Sequence, residues 1–214
     1  MMRPAFQRVA GIGFVLTVLA AEVLKGDSPS PTGPTEEVVA FFERRTAILA
    51  GAVAHMGALC LLALLLAAVM PTLMPEKSVA GRLARLGSPL LLVSLTLYVF
   101  LTAALAYGAA ADAGPVTARA LWEIRFVSET FLNVPIALVV GAVAVVSRDV
   151  TRTWYTVTSA VIALLSLVGE AALARNGFFA PDGGYSFLLF WLLPIWVVAT
   201  AFVTSDSSDS PGQA

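Results

Sequence analysis

Six apolar runs, each bounded by Pro-, Gly- and Ser-rich or charged residues, leave this 214-residue chain few ways to fold. They fall near 9–24, 46–70, 86–111, 120–147, 153–173 and 185–204. A helix needs about 20 apolar residues to cross a hydrocarbon core of about 30 Å. Inside that core no water can satisfy backbone N–H and C=O groups, so a continuous apolar run must be helical. The expected fold is therefore all-α, a polytopic transmembrane helical bundle of about six spans. It forms one domain over residues 1–204, and the polar tail 205–214 carries too little apolar surface to order itself. Composition agrees: 58% of residues are hydrophobic and 13% charged, against about 25% charged in soluble domains.

The same counts exclude several function classes. The chain has one Cys, Cys60, and one His, His55, which rules out an internal disulfide, a Cys/His zinc site and a haem held by two histidines. No metal and no cofactor is expected. Net charge is −1, so there is no basic surface for nucleic acid. Lys25 and Lys77 both lie in or beside loops, which leaves no lysine for a Schiff base inside the helices. Neither a phosphate-cradling Gly loop nor a GxSxG nucleophile elbow is present.

The first run, about 16 residues long, has signal-peptide features: Arg3 and Arg8, a short apolar stretch, then a Pro/Ser-rich segment. No small-x-small cleavage site follows Ala21, and the run is read as a retained helix. Loop Lys and Arg residues set the orientation. Arg3, Arg8, Lys77, Arg82, Arg85, Arg148 and Arg152 fall on one side, and Lys25, Arg44, Arg45, Arg119 and Arg175 on the other. Seven against five places both termini in the cytoplasm, in a multi-pass protein of the cell membrane.

Between the first two runs, "TEEVVAFFERRTA" begins at Thr35 after Pro34, with Glu36 and Glu37 in the first turn. Acidic residues there complement the helix dipole. Val38, Val39, Phe41 and Phe42 make one side apolar, which predicts a short amphipathic interfacial helix before the second span. From Thr35 onward, "TEEVVAFFERRTAILAGAVAHMGALCLLALLLAAV" resembles an uncharacterised family of small six-helix integral membrane proteins common in high-GC actinobacteria. The resemblance is most specific over residues 35–53. It implies a helical membrane bundle and carries over no residue roles.

The fourth run contains "ALWEIRFVSETFLNVP", residues 120–135. Positions four apart share a helix face, so Arg125, Glu129 and Asn133 form one stripe. Arg125 and Glu129 are placed to pair, and Asn133 to bond the carboxylate. Taken as a helix from about Val116 to Ser147 the span is 32 residues long, longer than a bilayer requires, so its outer turns extend into the headgroup region. Glu123 and Arg125 then read as interfacial, and Glu129 and Asn133 as intramembrane. On the same topology Glu22, Glu170 and Tyr107 lie at outer helix ends and His55 near mid-depth, while the inner half offers small hydroxyls such as Ser88 and Ser94. Trp154 and Tyr155 read as an interfacial aromatic belt. Trp191 and Trp196 flank Pro194 inside the sixth run.

Ionisable groups inside a membrane span are functional candidates by default. The asymmetry predicts an outward-facing pocket for an apolar or amphiphilic small molecule, lipid- or isoprenoid-like. Glu129, Glu170 and Glu22 are its candidate catalytic carboxylates, and Arg125, Asn133, His55, Glu123, Tyr107 and Trp191 its candidate binding residues. Glu129 beside Arg125 takes the anion role, and Glu170 or Glu22 that of proton donor. Two other classes fit the residues. Abundant Ala and Gly suit an accessory subunit or homo-oligomer with polar interface glue. A proton-coupled transporter would need midplane polar groups and paired halves.

Overall fold

The computed structural model describes residues 4–73, 78–109, 114–147, 152–171, 178–179 and 183–208. Eight α-helices account for nearly all of them: α1 (Pro4–Lys25), α2 (Thr35–Glu43), α3 (Arg45–Leu73), α4 (Val79–Ala104), α5 (Gly114–Thr130), α6 (Asn133–Ser147), α7 (Thr153–Ala171) and α8 (Gly184–Ser208). No strand occurs among the described residues. Five segments are long and apolar enough to cross a membrane: 4–25, 45–71, 79–108, 114–147 (α5 and α6 together) and 184–205. The apolar part of α7 is shorter. The chain is an all-α, multi-pass membrane bundle.

Local chemistry explains where the helices end. Gly26, at φ +68°, terminates α1 in the left-handed conformation, and its N–H bonds the Glu22 carbonyl at 2.8 Å. α4 starts earlier than the apolar run does. Ser78 is its N-cap, its Oγ accepting the Gly81 N–H at 2.9 Å, and "VAGRLAR" continues as helix. Ala, Leu and Arg favour helix whatever their polarity, so a hydropathy boundary missed these turns. The last turn of α4 is a π-turn, Leu105–Ala109. α8 runs on to Ser208, with Thr204 and Ser205 buried, so the segment expected as tail begins as helix. Residues 209–214 lie outside the described residues, as do Lys77, Arg148 and Arg175.

The fourth span is not one rod. A turn at Phe131–Leu132 separates α5 from α6, with Leu132 N–H bonding the Glu129 carbonyl three residues back. Pro135 is the cause: it has no N–H for the Phe131 carbonyl, and its ring crowds that carbonyl.

The helices close into a ring in the order α1, α3, α4, α6, α7, α8 and back to α1. Every neighbouring pair is antiparallel. Small residues let the backbones approach. A Cβ on Gly11 would lie 2.6 Å from Ala201 Cβ across the α1–α8 seam, and one on Gly51 would lie 3.0 Å from the Ala21 carbonyl across α1–α3. At the Ser205 end of the ring, uncharged hydrogen bonds tie helices together. Thr204 donates to Gln7 at 3.1 Å, Trp196 Nε1 donates to Ser159 at 3.0 Å, and Tyr155 shares a 2.7 Å bond with Thr200. Tyr155 and Trp196 are core residues, unlike the belt role expected of Tyr155; of the belt pair Trp154 alone is exposed.

At the opposite, Lys25 end, α2 lies against α5. Val38, Phe41 and Phe42 pack around Trp122 and Phe126, so the apolar face of α2 is buried on protein rather than laid on lipid. Arg119 holds the preceding loop by donating to the Pro31 and Gly33 carbonyls.

Candidate functional site

The Lys25 end of the ring also collects the buried charges. Arg125 projects from α5 into the bundle and is 2% exposed, which overturns its reading as an interfacial residue. Its position follows from face geometry: Ala118, Trp122, Arg125 and Phe126 are the buried residues of α5. The guanidinium lies 4.2 Å from the Tyr98 ring centroid, 4.6 Å from Phe126 and 4.8 Å from Trp122. Aromatic faces attract a desolvated cation. Nη2 donates to the Tyr98 hydroxyl, and Nη1 stands 2.9 Å from Glu129 Oε2. The expected Arg125–Glu129 pair therefore forms. It is Coulombic rather than well directed, since Glu129 Oε2 takes no hydrogen bond among the described residues. Arg125 Nε and Trp122 Nε1 are likewise without partners there.

A second charged group faces this one from α1 and α3. Glu22 bonds Lys25 Nζ at 2.7 Å and His55 Nε2 at 3.2 Å. Lys25 is buried, not a loop residue, because three residues of helix turn it onto the face of Glu22. The His55 ring meets the Tyr98 ring edge-on at 6.3 Å. Glu22, one of the two carboxylates expected as proton donor, is thus paired with Lys25 and His55.

Beside the two groups the ring holds a partly open cavity of about 120 Å³. His55, Tyr98, Glu129 and Asn133 bring polar atoms to it, and Phe14, Leu59, Ile136 and Leu193 are among its apolar lining. The break at Phe131–Leu132 places Glu129 and Asn133, from separate helices, on this wall. No Asn133–Glu129 hydrogen bond forms among the described residues; the break interrupts the four-residue register on which it depended. Behind His55 and Tyr98 a small space of about 10 Å³ is lined by Lys25 and Thr102, so these two rings partition it from the main cavity.

The other candidates lie elsewhere. Glu123 is exposed and pairs with Arg119 at 2.9 Å, as an interfacial residue would. Tyr107 is 70% exposed, with Arg45 over its ring at 4.7 Å. Trp191 packs on Phe187 and Phe190, of which Phe190 reaches the cavity. Glu170 belongs to α7, but its side chain lies outside the described residues. Tyr98 and Lys25 were missed from the sequence. Tyr98 had a signal: it stands too deep in its run for a belt tyrosine and four residues before Thr102. No cluster of three or more potential metal ligands occurs among the described residues.

Fold and site together define a multi-pass α-helical membrane protein whose buried charges gather at one end of the bundle. No family model, curated protein or solved structure matches the chain.

Proposed function

We propose that the protein holds an apolar or amphiphilic small molecule, lipid- or isoprenoid-like, in the cavity at the Lys25 end, which faces outward in the cell membrane. The observation that carries this reading is the lining: a mostly apolar wall with Glu129, Asn133, His55 and Tyr98 converging on it. Small-molecule sites have this character, an apolar hollow with a few placed polar groups. Glu129 is the carboxylate available for binding or acid-base chemistry on such a molecule, its charge balanced by Arg125. The small residues at Gly11 and Gly51 are engaged in seams within the chain, which lowers the case for an accessory subunit held by small-residue contacts. Kinship with the actinobacterial membrane family belongs to this proposal and assigns no residue roles.

Native mass spectrometry of gently purified protein tests it. Wild type should carry a small-molecule adduct, and Ala58→Phe, which fills the cavity from α3, should lose it. Adduct-free wild type, or equal retention by the variant, would reject the pocket.

The break within the fourth span favours a second reading, a proton-coupled carrier, because interrupted helices are common at transport sites. Potential-driven proton flux in proteoliposomes, abolished by Glu129→Gln, would select it.

A further inference from the structure

The geometry points to a hydroxyl-headed amphiphile, such as a long-chain or isoprenoid alcohol, as the occupant of the cavity; this rests on the pocket reading above. The argument is a census of which wall groups can give a proton and which can only accept one.

Among the described residues no lysine or arginine lines the cavity; its ionisable lining residues are Glu129, His55 and the tyrosines Tyr98 and Tyr185. Arg125, which pairs with the lining residue Glu129, is committed to Glu129 and Tyr98, with aromatic rings around it. Lys25 lies behind the His55–Tyr98 partition, bound to Glu22. A phosphate or carboxylate head would meet Glu129 with no free counter-charge among the described residues, in a medium where repulsion is weakly screened.

The neutral wall groups are skewed toward accepting. Thr130 gives its hydroxyl proton to the Phe126 carbonyl at 3.3 Å, and Tyr185 gives its own to the Leu165 carbonyl. Both oxygens can then only accept from a ligand. His55 directs Nε2 at the Glu22 carboxylate, so in the neutral ring Nδ1 is an acceptor. Glu129 accepts only, Asn133 and Tyr98 have protons to offer, and Ser186 brings a further hydroxyl to the lining. An occupant that both donates and accepts satisfies this mixed wall best, and a primary hydroxyl donates to the acceptors while accepting from Asn133 or Tyr98. At about 120 Å³ the cavity is comparable to apolar cavities of about 150 Å³ that take up benzene. It has room for the head and first carbons of a chain.

The test uses the full chain in nanodiscs of zwitterionic lipid and a photoreactive diazirine analogue of decan-1-ol. Labelled peptides are mapped by mass spectrometry. Competitors share one tail length and differ in head: decan-1-ol, 1-methoxydecane, decanoate and decylamine. Decan-1-ol should displace the probe at least about tenfold better than 1-methoxydecane, which cannot donate, and than decanoate, which is anionic. Equal competition by either of those two overturns the hydroxyl assignment, and so does stronger competition by decylamine. Absence of any labelling near His55, Asn133 or Ile136 that Ala58→Phe or the milder Ala58→Leu removes would instead reject the pocket itself. The comparison of heads is made on wild-type protein, so it does not depend on a Glu129 variant folding with Arg125 left unpaired.

Discussion

Arg125 shows how a charge is kept inside this bundle. One face of α5 supplies Trp122 and Phe126 as well as the pairing Glu129, and α4 supplies Tyr98, so the guanidinium exchanges water for rings, a hydroxyl and a carboxylate. Removing one partner of a buried pair strands the other. Glu129→Leu strands the buried guanidinium and should cost about 3–5 kcal/mol, read as a lowered thermal midpoint in detergent, and Arg125→Leu/Glu129→Leu should recover most of it. The double variant should still lack bound small molecule, which separates the structural role of the pair from the ligand role of Glu129. Tyr98→Phe should cost about 1.5–3 kcal/mol, the worth of a hydrogen bond to a charged group. At this scale the sequence was partly legible. The four-residue spacing of Arg125 and Glu129 announced their contact, because it lies within one helix. Tyr98 and the Glu22–His55 pair were harder, since they depend on which helices become neighbours in the ring. Loop chemistry does not encode that order.

The elements carry their own instructions. Apolar length located the helices, while their ends followed from single residues: Gly26 past α1, Ser78 before α4, Pro135 inside the fourth span. The proline was visible in the sequence, but reading 120–147 as one continuous span passed over the break it makes. Pro135→Ala should let α5 and α6 join, swinging Glu129 off the cavity wall. The expected result is a folded protein with at least about tenfold weaker retention of the photoreactive decanol. Unchanged retention would mean that the break does not place the site. Across the α1–α8 seam, Gly11→Leu should destabilise by about 1–3 kcal/mol, because Ala201 already fills the space its side chain needs. A melt unchanged from wild type would contradict that packing.

As a whole, the molecule is an antiparallel ring with its two ends built differently. Hydroxyl, indole and amide bonds such as Tyr155–Thr200, Trp196–Ser159 and Gln7–Thr204, with Arg8 donating to Ser205, close the Ser205 end, and the Lys25 end holds the buried charges and the cavity. The difference was legible as a depth pattern of Glu22, His55, Glu129 and Asn133 along their spans. The cavity between them was not, since it exists only once six helices share a perimeter. His55 is the one histidine in the chain and lines that cavity, so isotope labelling of histidine reports on a single, well-placed ring. The central claim is that an amphiphile occupies this space. In perdeuterated lipid nanodiscs loaded with decan-1-ol, the labelled His55 ring protons should show nuclear Overhauser contacts to the alcohol's chain, and Ala58→Phe should abolish them. A folded wild-type protein whose His55 ring contacts protein protons alone would contradict the account.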